Sequence, residues 1–171
     1  MHIFVTGFMG VGKSTVGRCL AAALELPFVD LDEEIEGHTG EPIAGTFDQR
    51  GEAAFRQLEA EVLAAIVRRP PAVIATGGGT VTREENRVLM DAHGVSVWID
   101  LPFASIARRL VGEEQAERPL FQNRSQAQAL FQARLSAYHA CNLRIAVKAA
   151  EGPEEIAARI QQQLQEIPCA T

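Results

Sequence analysis

The chain is short of cysteine, of surplus basic charge and of long apolar runs. Its three cysteines, Cys19, Cys141 and Cys169, are odd in number and widely spaced, with no metal-ligand pattern. That argues against a disulfide framework and reads as buried or incidental thiols in a reducing compartment. Lys and Arg total 16 against 22 Asp and Glu, a net charge of −6, with no long basic run. A dedicated binder of nucleic acid or of a membrane surface would need the opposite balance. An anionic ligand must instead be met by a few well-placed Arg and Lys side chains. No apolar run approaches the length of a membrane span. The N-terminus enters a strand-like run at once, without the layout of a secretory leader, so a cytoplasmic protein is expected. No repeat, low-complexity tract or linker interrupts the chain, and a single domain over 1–171 is expected. His2, His38, His93 and His139 lack any partner pattern and read as structural or surface residues. No exposed apolar stripe is evident, and a monomer is expected.

What is present is a globular composition, 47% hydrophobic and 22% charged. Short apolar runs recur at Ile3–Thr6, Pro27–Val29, Ala72–Ala75, Val95–Ile99 and Leu143–Val147. Several lack alternation, as strands buried on both faces do. Helical patterns separate them: Val16, Leu20, Leu24; then Phe55, Leu58, Val62, Ile66; finally Ile156, Ile160, Leu164, Ile167. Strand alternating with helix predicts an α/β fold with a mainly parallel sheet and ligands at the carboxyl ends of its strands. Two stretches break the rhythm. Residues 32–60 place helical pieces between the second and third strands, a candidate acceptor-binding insertion. Residues 112–123 are polar and weakly periodic, a candidate lid.

The strongest motif is Gly7-Phe-Met-Gly-Val-Gly-Lys-Ser14, which matches the phosphate-binding pattern G-x-x-x-x-G-K-[ST] directly after a strand. Its glycines let backbone N–H groups turn toward a polyphosphate, and the following helix N-terminus favours the same anion. Lys13 would reach the β- and γ-phosphates, and Ser14 would offer a hydroxyl to Mg²⁺. Asp30-Leu31-Asp32 ends the second strand. If extended, it would aim both carboxylates into one pocket, suited to Mg²⁺ and to a hydroxyl proton; a helix-capping pair is an equal reading. Between Asp30 and Asp100 as the second metal-organising acid, Asp30 is preferred, since Pro102 marks Asp100 as part of a strand exit. Gly77-Gly78-Gly79 at the end of the third strand is either a flexible turn or a set of N–H donors near a ligand. Arg56 and Glu59 are neighbours on one helix, either a surface ion pair or an arginine oriented for an anion. Arg134 and Tyr138 lie one turn apart beside Phe131 and Leu135; alone, Arg134 reads as a solvated helix residue. Arg118, before Pro119 in the lid, could neutralise a phosphoryl group in transfer.

Together these elements resemble the shikimate kinases, small P-loop kinases related to the nucleoside monophosphate kinases. The resemblance runs over about residues 1–165, through the P-loop, Asp30-Leu31-Asp32, Phe55-Arg56, Gly77-Gly78-Gly79, Arg118-Pro119-Leu120, and Arg134 with Tyr138. It implies a three-layer α/β/α P-loop kinase fold with a five-stranded parallel sheet, a lid and an acceptor-binding helical insertion. ATP would lie on Gly10, Val11, Gly12, Lys13, Ser14 and Thr15. Arg109 and Pro153 would flank its base, and Arg118 would close over its phosphates. Mg²⁺ would be held by Ser14, with Asp30 supporting it through water. Asp32, Arg56, Gly78, Gly79 and Arg134 would hold shikimate, with the arginines on its carboxylate, Glu59 orienting Arg56, and Asp32 at the acceptor hydroxyl. Lys13, Asp32 and Arg118 are thus the expected catalytic residues. The chain departs from the family pattern at Ser136, where Pro is common, in its acidic lid, and at Glu151-Gly152-Pro153, where Asn or Arg often precedes Pro.

Three other readings remain in view. A related kinase could use another acceptor, such as gluconate. A GTPase-type switch lacks its expected base-reading N-K-x-D pattern here. A non-catalytic nucleotide binder is disfavoured by intact Lys13, Asp32 and Arg118.

Overall fold

In the computed structural model, residues 1–109, 124–148 and 150–167 are described. The candidate lid, with Arg118, lies outside them, as does Cys169. Five strands, β1 (His2–Thr6), β2 (Phe28–Asp30), β3 (Val73–Ala75), β4 (Gly94–Asp100) and β5 (Leu143–Ala146), form one parallel sheet in the order β2-β3-β1-β4-β5. Around them run α1 (Lys13–Leu24), α2 (Leu31–Thr39), α3 (Ile43–Ile66), α4 (Glu84–His93), α5 (Phe103–Arg109), α6 (Arg124–His139) and α7 (Pro153–Gln165). A short 3₁₀ turn, Thr80–Thr82, follows the glycines.

The central strands are buried on both faces: Ile3, Phe4, Val5, Val73, Ile74, Val97 and Ile99 all lie in one core cluster. That is why their sequences read as unbroken apolar runs. The helices add one stripe each. Val16 and Leu20 of α1, Val62, Leu63 and Ile66 of α3, and Ile156 and Ile160 of α7 are buried, while Leu24, Leu58, Leu164 and Ile167 pack at its edge. His2 is structural, as expected. It is buried, with Nε2 3.2 Å from Val67 O and Nδ1 accepting from the Ala72 N–H at 3.2 Å, which ties β1 to the chain entering β3.

The extended reading of Asp30-Leu31-Asp32 needs correction. β2 ends at Asp30, and Leu31 already opens α2. Asp30 is the N-cap, its carboxylate accepting the Asp32 N–H at 3.1 Å, so the local capping bond wins over strand continuation. The insertion is helical throughout most of its length, with α3 bent at Gly51, where φ is 77°.

The carboxyl ends of β1, β2, β3 and β4 open on the same side of the sheet, because all neighbours are parallel. Three of them deliver segments of the candidate site: the P-loop from β1, Asp30 from β2 and the glycine turn from β3.

Candidate active site

The P-loop is shaped by backbone rather than by side chains. Gly10 and Gly12 have φ of 76° and 94°, left-handed conformations that an L side chain strains to adopt. Among the described residues, the N–H groups of Gly10, Gly12 and Ser14 donate to no protein acceptor, which leaves them to an anion at the start of α1. The Lys13 ammonium lies across the loop and donates to Phe8 O at 3.2 Å. Phe8 is buried, with Phe131 of α6 edge-on at 5.3 Å and Phe103 of α5 at 6.4 Å. The floor of the loop is therefore fixed by two helices.

Ser14 Oγ donates to Asp30 Oδ2 at 2.6 Å. Asp30 thus uses one oxygen to cap α2 and the other to accept the Ser14 hydroxyl. Asp100 is engaged elsewhere, accepting Arg144 at 2.7 and 2.9 Å. Among the described residues no cluster of three or more His, Cys, Asp or Glu side chains could hold a metal alone. An all-oxygen pair of one hydroxyl and one carboxylate, next to a phosphate cradle, fits Mg²⁺, which keeps most of its waters and takes the rest of its ligands from phosphate.

The glycine turn brings the remaining residues together. A methyl group built on Gly77 would lie 3.1 Å from Asp32 Oδ1 and 2.9 Å from Glu59 Oε1. On Gly78 it would lie 3.4 Å from Arg134 Nη1, and on Gly79 it would overlap the Arg56 guanidinium. Three consecutive glycines thus face an acid and two arginines drawn from α2, α6 and α3. Their carbonyls are occupied: Gly77 O takes the Thr80 N–H at 3.2 Å, Gly78 O the Tyr138 hydroxyl at 2.6 Å, and Gly79 O the Thr82 N–H at 3.0 Å. Among the described residues, the N–H groups of Gly78 and Gly79 donate to no protein acceptor.

Arg56 and Glu59 are no surface pair. Glu59 is fully buried, with Oε2 accepting Arg56 Nη1 at 2.9 Å and Oε1 accepting the Thr80 hydroxyl at 2.8 Å. Asn86 holds Thr80 in turn through its carbonyl at 2.9 Å. Arg134 is also buried, not solvated, with its guanidinium 5.8 Å from the Phe8 ring centre. Burial pulls its pKa down, and the Arg56 charge adds to that. Two arginines held this close in a dry setting are complementary to an anion. Asp32 stands at the mouth of the cleft, its surface open to water while its carboxyl is crowded by protein. Desolvation pushes its pKa up to about 6, opposed by Lys13 and aided by Asp30 and Glu59.

Arg109 ends α5 with Nη1 3.4 Å from Val11 O, which sets it against the P-loop. Pro153 opens α7 behind Gly152, whose N–H donates to Glu155 at 2.8 Å. The preceding loop is braced by Glu151, which accepts Arg159 at 2.7 Å and the Lys148 N–H at 2.8 Å. Thr80 and Asn86, which support the site, belong to no motif in the sequence. The only signal was a hydroxyl directly after the glycines, a weak one.

A glycine loop at the start of α1, a Ser14–Asp30 pair beside it, and an acid and two arginines around a glycine turn, on a 2-3-1-4-5 parallel sheet, define a P-loop kinase. Comparison with known proteins narrows the class. Residues 9–165 match the family described as shikimate kinase. The shikimate kinase of Synechococcus elongatus is 41% identical over 163 residues, covering 94% of this chain and 84% of that protein. A solved structure of Acinetobacter baumannii shikimate kinase in complex with shikimate superposes with a TM-score of 0.89 at 32% identity, covering 96% of this chain and 93% of that one. For the Aquifex aeolicus shikimate kinase structure the TM-score is 0.84 at 38% identity, with 96% of each chain covered. The chain belongs to the shikimate kinase family.

Proposed function

We infer that this protein transfers the γ-phosphoryl group of ATP to the 3-hydroxyl of shikimate, giving shikimate 3-phosphate and ADP, a step of aromatic amino acid biosynthesis. The observation that carries this reading is the convergence of Asp32, Arg134 and Arg56 on the successive glycines Gly77, Gly78 and Gly79. A ring bearing one carboxylate and several hydroxyls needs that set: paired guanidinium groups for the carboxylate, N–H donors and an acid for the hydroxyls.

In the proposed mechanism the P-loop N–H groups, with Gly10, Val11, Gly12, Lys13, Ser14 and Thr15, cradle the phosphates. Arg109 and Pro153 border the base. Ser14 directly, and Asp30 through water, would hold Mg²⁺, which would supply neutralisation of phosphate charge. Arg56 and Arg134 seat the acceptor by its carboxylate, and Asp32 hydrogen-bonds the reacting hydroxyl. The hydroxyl oxygen bonds to the γ-phosphorus as the bond to the ADP oxygen breaks. Lys13, and Arg118 from the lid, offset the charge in transfer. The proton passes to Asp32, whose pKa of about 6 leaves it ionised at neutral pH and still basic enough to receive it. Positioning supplies most of the acceleration, since a loose transfer demands little of a base. We propose a cytoplasmic monomer that folds as one domain, with 32–60 as the acceptor-binding insertion and 112–123 as the lid.

The test is ADP release by the purified chain with ATP and Mg²⁺ across shikimate, gluconate and nucleoside monophosphates. Release dependent on shikimate supports the reading; activity with another acceptor and none with shikimate overturns it.

A further inference from the structure

The glycine turn has one carbonyl held by a side chain from a distant element. The Tyr138 hydroxyl, on the last turn of α6, donates to Gly78 O at 2.6 Å across 60 positions of sequence. Tyr138 is fully buried and stacked on Trp98 of β4 at 5.7 Å between ring centres, so the phenol has no freedom to follow the turn if the turn moves. Arg134, one helical turn earlier, stands against the same turn, its Nη1 3.4 Å from where a methyl group on Gly78 would lie. Burial pushes the phenol up to about 12, which keeps it protonated and a donor. The Gly78 C=O and the Gly79 N–H belong to one planar trans peptide and point in opposite directions. Fixing the carbonyl therefore fixes where the Gly79 N–H points, and that N–H lacks a protein acceptor among the described residues. Glycine on both sides of this peptide offers little resistance to its rotation, so the aim of the donor depends on the anchor.

We propose that Tyr138 is a positioning residue for the acceptor: its hydroxyl locks the Gly78–Gly79 peptide so that the Gly79 N–H faces the acceptor beside Arg56. This rests on the shikimate reading above. The residue acts through Gly79, without touching the reacting atoms.

The experiment compares the full chain with Tyr138→Phe and Trp98→Phe, measuring kcat and KM for shikimate and for ATP, alongside thermal midpoints. Tyr138→Phe keeps the stacking and removes only the hydroxyl. The expected result is a shikimate KM raised about 10-fold, the cost of one lost buried hydrogen bond, with ATP KM and kcat little changed. Trp98→Phe is expected to lower the thermal midpoint and leave the shikimate KM in place. Because Tyr138 is the chain's single tyrosine, 3-fluorotyrosine labelling of the wild-type sequence gives one fluorine resonance, expected to shift with shikimate. A shikimate KM unchanged in Tyr138→Phe, an equal rise in Trp98→Phe, or a fluorine signal indifferent to shikimate would each overturn the proposal while wild-type activity stands. A wild-type chain inactive on shikimate would overturn the functional reading itself and this inference with it.

Discussion

In the proposed donor half of the cleft one contiguous stretch, Gly7 to Ser14, supplies the loop, its left-handed glycines and, among the described residues, N–H groups that donate to no protein acceptor. The acceptor half draws on α2, α3, the β3 turn and α6, and its arginines are useful only because buried partners hold them. Backbone geometry alone makes a phosphate cradle, and any polyphosphate satisfies it. A pocket for one acceptor needs side chains fixed from several directions, since discrimination comes from charges and donors whose positions are not negotiable. Damage to the donor half should thus remove turnover with every acceptor, and damage to the acceptor half should change which acceptor is used.

The largest effect is expected from Lys13→Ala, a fall in kcat/KM on the order of 10³ with shikimate, with the shikimate Kd in the absence of nucleotide left near wild type. A comparable loss of shikimate affinity would show the halves are not separable. Next comes Arg134→Ala, which should raise the shikimate KM by roughly 100-fold, as expected for charge-assisted bonds, and leave ATP binding intact; equal effects on both KM values would blur the distinction. Asp32 lies at the seam, in the fields of both Lys13 and Arg56. Its ionised form is needed, so kcat/KM for shikimate should rise about tenfold per pH unit below 6 and level off above. Its folded pKa is raised from 3.8 to about 6, so its ionisation costs stability. That cost is absent below pH 4, grows as pH climbs to 6 and is constant beyond. Asp32→Asn should therefore melt higher than wild type at pH 8 and equally at pH 4, with the pH step in rate abolished; a pH profile like the wild type's would remove the base role. The smallest change is Thr80→Val, which deprives the buried Glu59 of one donor. It should cost about 1–2 kcal/mol of stability and raise the shikimate KM a few-fold, with a melt unchanged from wild type counting against the Thr80–Glu59–Arg56 chain of support.

The same contrast explains what could be read from the chain. Strands β1, β3, β4 and β5 stand within a residue of their apolar runs, because burial on both faces leaves an uninterrupted signature. The P-loop was legible because its physics is local. The extended reading of Asp30-Leu31-Asp32 overran the end of β2 by two residues, since the bond that the Asp32 N–H donates to the Asp30 carboxylate competes with strand extension and periodicity does not register it. Glu59 shows the harder case. An Arg–Glu pair one turn apart looks the same on paper whether solvated or buried, and only Thr80, 21 positions away, decides. Arg134 is similar: it packs on Phe8, which meets it only once α6 lies against the P-loop.

The claim that acceptor identity is read by Arg56 and Arg134 is tested most directly with a neutral analogue. Wild type and Arg56→Ala should be compared on shikimate and on shikimate methyl ester by kcat/KM. The expected result is a wild-type preference for the free acid of at least about 100-fold, as for two charge-assisted bonds lost, shrinking at least tenfold in Arg56→Ala through loss of activity on the acid alone. A wild-type enzyme that treats acid and ester alike, or a preference untouched by Arg56→Ala, would contradict it.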